Sequence, residues 1–169
     1  MPFTDWMPQY GLCFPIASEH FGPARLHITP TGYEKDTNGN FAPAHRDRVY
    51  GLYVTARFED DGQGLKHEIS DFVQPDCFRA LEELIAESTN QVSRVLLQGD
   101  DGYLEISFQR EVDGKLRIMC TSPSRGWSVD CLRLQLECTV NTESLTEARK
   151  QIAELLELVG KIDSGSIEA

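Results

Sequence analysis

The segment that decides the fold is Val49-Tyr50-Gly51-Leu52-Tyr53-Val54-Thr55-Ala56-Arg57-Phe58. Its apolar residues fall on the even positions, and this period of two places one face of a β-strand on a core. The acidic and glycine-rich residues 59–64 predict a turn. The alternation then resumes from Leu65 to Ile69. The two segments are therefore predicted to form an antiparallel hairpin.

The sequence before this hairpin has a different texture. Residues 1–24 mix prolines with four aromatic side chains, which predicts an irregular N-terminal arm. A short strand is predicted at residues 25–29. Residues 30–48 are rich in Gly, Asn, Pro and Asp, and they predict a long loop.

Two helices and a second hairpin are predicted after it. Pro75 and Asp76 suit a first helical turn, and apolar residues recur at helical spacing from Phe78 to Ile85. Alternating strands flank Asp113-Gly114, a dipeptide typical of a type I′ turn. A last helix is predicted from Thr142 or Ser144 up to Gly160.

One further strand is predicted between the second hairpin and the last helix. Trp127, Val129 and Cys131 are odd-numbered, whereas the apolar positions from Leu132 to Val140 are even-numbered. This change of parity predicts a bulge or a bend.

Together these elements predict a single α+β domain over residues 1–162. We expect an antiparallel sheet of about six or seven strands with two helices packed on one side. Residues 163–169 are predicted to be a flexible tail.

Composition and charge restrict the classes of function. The formal net charge is −11, which repels phosphate backbones and argues against nucleic-acid binding. The five cysteines contain no C-x-x-C, and the N-terminus lacks the pattern of a signal peptide. We therefore expect free thiols, a cytoplasmic location and no membrane association.

No motif for catalysis, a cofactor or a metal is present in the sequence. The four histidines lack zinc-site spacing, and there is no Walker loop or G-x-S-x-G. Cys77, near the start of a predicted helix, is a candidate thiolate, but its apolar neighbours favour an inert side chain. The prediction is a protein without catalytic residues, metal or cofactor.

Charge is concentrated in one third of the chain. Residues 59–113 contain fourteen acidic residues against four basic ones. Several acids fall on predicted turns or on the outward side of the first helix. If they gather on one surface, that surface would speed encounter with a basic protein; the simpler interpretation is solubility.

The run from Gly51 to Leu156 resembles the bacterial immunity proteins of the WapI type and a related family of uncharacterised bacterial proteins. The resemblance lies in the order of elements: the strand 52–58, the helix 77–84, the hairpin 104–118, Gly126-Trp127-Ser128-Val129, and the closing helix from Thr142.

The resemblance implies a small cytoplasmic protein that binds a cognate toxin domain, such as a basic nuclease, and blocks it without chemistry of its own. The candidates for attracting such a partner are Glu59, Asp60, Asp61, Glu82, Glu83, Asp100 and Asp101. Tyr103 and Trp127 are the candidates for aromatic anchors. Two alternatives stay open: a small-molecule or metal-dependent enzyme using the 30–48 loop with His45 and Asp47, and a structural or oligomeric accessory domain.

Overall fold

A computed structural model of the chain describes residues 4–16, 24–39, 47–60, 65–86, 94–122, 134–140 and 142–167. These residues form eight β-strands, two α-helices and a short 3-10 helix. The strands are β1 (Leu12–Ile16), β2 (Ala24–Lys35), β3 (Val49–Asp60), β4 (Leu65–Val73), β5 (Arg94–Gln98), β6 (Glu105–Arg110), β7 (Leu116–Ser122) and β8 (Leu134–Val140). The helices are α1 (Pro75–Ala86) and α2 (Thr142–Asp163), and the 3-10 helix spans Met7–Tyr10.

The two halves of the chain have the same order of elements. Strands β1 to β4 pair with their sequence neighbours in one antiparallel sheet and are followed by α1; strands β5 to β8 form a second such sheet, followed by α2. The predicted α+β class, antiparallel pairing and two helices are confirmed. The strands divide between two four-stranded sheets, and β1 and β5 are strands that the sequence pattern did not predict.

Both sheets and both helices contribute to one buried apolar cluster. Alternate residues of β3 enter it, and the rings of Phe14 on β1 and Phe108 on β6 lie 5.5 Å apart between centroids, which joins the two sheets. Helices α1 and α2 contact each other, and both contact β3. The residues that α1 buries include those predicted from its spacing: Phe78, Leu81, Leu84 and Ile85.

The N-terminal arm is more regular than the sequence predicted. Leu12, Phe14 and Ile16 are buried and alternate with Cys13 and Pro15, and this segment forms β1. Pro15 hides the strand pattern, but β1 is an edge strand of its sheet, where a residue without an N–H is tolerated.

The predicted loop at residues 30–48 is also shorter than expected. Strand β2 continues through Pro30 to Lys35, and its register against β3 shifts between Pro30 and Gly32. A bulge accommodates a proline within a strand. Tyr33 is buried beyond the bulge, so the strand continues to pack on the core.

Two element ends differ from the prediction. The turn formed by residues 111–114 has a hydrogen bond from the Gly114 N–H to the Glu111 carbonyl, and Gly114 is the one residue of this turn with positive φ, 84°. This is a type I turn followed by a left-handed glycine, not a type I′ turn. Helix α2 passes Gly160 because Ile162 extends its buried stripe, and the Asp163 carboxylate accepts a hydrogen bond from the Val49 N–H at 2.6 Å.

The predicted parity change near Cys131 lies outside the described residues. Over the part of the chain described here, neither helix has the length and apolar composition needed to cross a lipid bilayer.

Candidate functional site

A buried carboxylate organises the loop between β5 and β6. Asp71 lies opposite Val54 in the β3–β4 register, on the core side of the sheet, and only 5% of it is exposed. Its two oxygens accept hydrogen bonds from four backbone N–H groups: Phe72 (2.7 Å), Asp101 (3.1 Å), Tyr103 (2.8 Å) and Leu104 (2.9 Å). These bonds compensate the charge that burial removes from water.

Two glycines allow this loop, residues 99–104, to approach β4 closely. A Cβ at Gly99 would lie 1.9 Å from the Asp71 carboxyl group, and Gly102 has φ 77°. The Asp100 N–H also donates to the Phe72 carbonyl at 2.8 Å. The loop backbone is therefore fixed, while Asp100, Asp101 and Tyr103 remain exposed.

A cavity of about 440 Å³ lies beside this loop. It is on the face of β3 that is opposite to the core, because Tyr53 and Thr55 alternate with the buried Leu52 and Val54. The side chains that characterise its lining are Tyr53, Phe72, Thr31, Thr55, Ser70 and Asp101. The cavity thus combines aromatic rings, hydroxyl groups and one exposed carboxylate.

Three aromatic rings pack together beside the cavity, and two of them, Tyr53 and Phe72, line it. The Phe72 ring lies 5.0 Å from the Tyr53 ring and 5.5 Å from the Tyr50 ring, between centroids. Gly51 makes room for it, since a Cβ there would lie 2.1 Å from Phe72 Cζ. The β2–β3 register shifts between Glu34 and Lys35, at the level of Tyr50, and Tyr50 is half-buried beside Phe72, whereas the alternation predicted it on the core face.

Two of the rings carry hydroxyl groups that are bonded to carboxylates. The Tyr53 hydroxyl donates to Glu34 Oε1. Burial and this hydrogen bond raise the pKa of Tyr53 to about 12. Burial and the Asp100 carboxylate likewise raise the pKa of Tyr50. Both phenols are therefore protonated at neutral pH, which makes them hydrogen-bond donors to these acids.

The acidic candidates that the structure describes lie on several parts of the molecule. Asp100, Asp101 and the predicted anchor Tyr103 lie together on the 99–104 loop. Glu59 lies six residues along β3 from Tyr53, which is about 20 Å in a strand. Its carboxylate is occupied by Arg57 (2.9 Å) and approaches His27 (3.7 Å).

The remaining candidates are divided between other places. Asp60 is only 1% exposed, so its prediction as a surface attractant is wrong: it ends β3 on the buried side of the alternation. On α1, Glu83 is exposed and Glu82 half-buried. Asp61 and Trp127 lie outside the described residues.

The described residues provide no geometry that supports a metal-dependent enzyme or a nucleophilic cysteine. Asp47 is exposed with φ 62°, and His45 lies outside them. Burial raises the pKa of the Cys77 thiol, which disfavours the nucleophilic thiolate. Within the described ranges, no group of three or more His, Cys, Asp or Glu side chains is placed to hold a metal ion.

Sequence reasoning missed Asp71, Phe72, Tyr53 and Glu34. One signal for Asp71 was available, because it continues the inward alternation of Leu65 and Ile69 as a charged residue at a core position. The cavity itself depends on the contact between β4 and the 99–104 loop, and no local sequence pattern predicts a contact between segments so far apart in the chain.

Comparisons with protein-family models, with curated proteins and with solved structures give no match for this chain.

Proposed function

We propose that the protein is a non-enzymatic, cytoplasmic binding module of the immunity-protein kind, which neutralises a basic toxin domain by covering it. A nuclease is the class of toxin that best fits, since its substrate-binding surface is basic. The observation that carries the proposal is the 99–104 loop, whose exposed Asp100 and Asp101 are held on a fixed backbone beside an aromatic cavity.

Fixed acids suit this role better than acids on a mobile segment. Asp71 orders the loop before any partner arrives, so binding loses less conformational freedom. Negative charge on the loop steers a basic partner toward it and raises the association rate. Tyr103 is 38% exposed on the same loop and provides an aromatic side chain that a partner can bury.

The first test concerns the partner. The proposal predicts that a gene beside this one encodes a basic toxin domain and that the two purified proteins form a complex that inhibits the toxin. Absence of such a gene, or two proteins that do not associate, would contradict the proposal.

The second test concerns the loop. Asp100→Asn combined with Asp101→Asn should lower the association rate constant by roughly tenfold at low ionic strength, because steering is lost. The difference should shrink at physiological salt. Glu147→Gln combined with Glu154→Gln removes the same charge from exposed positions on α2 and serves as the control. Equal association rate constants for the two double variants would contradict the role proposed for the loop.

A further inference from the structure

The cavity beside the 99–104 loop has the chemical lining of a site for one organic cation. Its volume, about 440 Å³, lies within the range of small-ligand pockets, roughly 300–1,000 Å³. Tyr53 and Phe72 supply aromatic surface, and Asp101 supplies a carboxylate. Aromatic faces attract cations through the ring quadrupole, and a nearby carboxylate adds charge attraction.

Negative charge dominates the surroundings of the cavity. Besides Asp101, the Glu34 carboxylate lies near it, because it accepts the hydrogen bond of the lining residue Tyr53, and Asp100 precedes Asp101 on the loop. Each phenol that donates to a carboxylate becomes more electron-rich, which strengthens its attraction for a cation. The described residues lining the cavity include no lysine or arginine.

The hydroxyl groups of Thr55 and Ser70 can accept hydrogen bonds in the cavity. Asp71 already accepts four backbone N–H groups, so its carboxylate serves the loop. Thr55 Oγ1 and Ser70 Oγ lie 2.9 Å apart, and one donates to the other, so lone pairs on both hydroxyls remain. Arg57, the next cation along β3, is engaged by Glu59.

We infer that this cavity accepts the guanidinium group of an arginine side chain presented by the protein partner. The inference rests on the proposed function and names the chemistry of its contact. A planar guanidinium stacks on an aromatic ring while its N–H groups, up to five, donate to a carboxylate and hydroxyls at the ring edge. A lysine ammonium has three donors and is more strongly hydrated, so it matches this lining less well.

The test uses small probes with the full chain. N-acetyl-arginine methylamide is titrated into the ¹⁵N-labelled protein, with the citrulline analogue as a neutral probe of the same shape and the lysine analogue as a second cation. Arginine should bind with a dissociation constant on the order of millimolar, as expected for one side chain. In NMR spectra, the largest changes in amide chemical shift should occur at Tyr53, Thr55, Phe72 and Asp101.

Variants then test the lining. Asp101→Asn should weaken arginine binding at least about fivefold, and Tyr53→Leu should do the same through loss of a ring. Glu147→Gln, on the exposed side of α2, should leave binding unchanged. Equal binding of citrulline, equal or tighter binding of lysine, or shifts centred elsewhere would overturn the inference.

The outcomes separate this inference from the proposed function. If the partner binds in a manner that depends on Asp100 and Asp101 while the arginine probe does not bind, the function stands and the arginine cavity is rejected. If the probe binds but no basic partner associates, the cavity stands as a cation site and the toxin-neutralising role is rejected.

Discussion

The carboxylate of Asp71 on β4 accepts a hydrogen bond from the backbone N–H of Tyr103 at 2.8 Å, across 32 residues of chain. Asp71 belongs to the first four-stranded sheet, whereas Tyr103 belongs to the loop between two strands of the second. The Asp71 side chain is thus one of the contacts that connect the two halves of the molecule. The same contact determines where Asp100 and Asp101 are presented.

Asp71→Ala should destabilise the protein by about 3 kcal/mol, because it removes the buried carboxyl group that accepts hydrogen bonds from four backbone N–H groups. Urea denaturation followed by circular dichroism measures this change. Glu154→Ala, at an exposed position on α2, should change the free energy of unfolding by no more than about 0.5 kcal/mol. A similarly small change for Asp71→Ala would show that the loop does not depend on this carboxylate.

Local patterns predicted the elements whose apolar face is complete within one segment. The β3–β4 hairpin, α1, the β6–β7 hairpin and most of α2 are of this kind, because each alternation or helical stripe is written in neighbouring residues. The extension of α2 was missed because Gly160 is typical of a helix end, while the buried Ile162 that prolongs the helix lies beyond it.

Strands interrupted by proline were predicted only in part: β1 was missed, and the strand predicted at residues 25–29 covers only the part of β2 before Pro30. Pro15 and Pro30 break the pattern of β1 and β2, but an edge position and a bulge accommodate them. The candidate site was predicted only in part. Asp100 and Asp101 were proposed from their charge on a predicted turn, and Tyr103 was proposed as an aromatic anchor, whereas the cavity requires the tertiary contact through Asp71.

His27 should titrate below its ordinary pKa of about 6.5. Burial lowers the pKa most, Arg57 and Arg25 lower it further, and Glu59 partly opposes them. The contribution of the neutral imidazole to stability is present above about pH 6.5. It decreases as the pH falls below that value, since the unfolded chain binds the proton first.

The histidine midpoint is measured by the chemical shift of the ring proton on Cε1. Arg57→Gln should raise it and Glu59→Gln should lower it, and these opposite signs identify the two charges. A midpoint at or above the ordinary value in the native protein would contradict the arrangement of this charged end of the sheet.

Tyr53 should ionise late in an alkaline titration, with a pKa of about 12. Burial is the main cause, and the hydrogen bond to Glu34 adds to it. Because the folded pKa exceeds the ordinary value of about 10, the stability contributed by the protonated phenol is complete below pH 10 and is lost between about pH 10 and 12. Absorbance at 295 nm follows the phenolate.

Tyr53→Phe should remove one late-ionising phenol from that titration. Glu34→Gln should move the same phenol to lower pH, since the charge that opposes the phenolate is gone. An unchanged titration in Glu34→Gln would show that the carboxylate does not bond to this hydroxyl in solution.

Gly51→Ala should displace the Phe72 ring and deform the aromatic wall of the cavity. An added Cβ would lie 2.1 Å from Phe72 Cζ, so the ring must move, and we expect a loss of about 1–3 kcal/mol in the free energy of unfolding. In a Phe72→Ala background the same substitution should cost far less, because the atoms that clash are absent. Gly160→Ala is the control for the generic effect of adding a methyl group: nothing lies within 4 Å of a Cβ there, and its helical position predicts a gain of about 0.5–1 kcal/mol. Equal costs of Gly51→Ala in the two backgrounds would mean that Gly51 is needed for a reason other than room for Phe72.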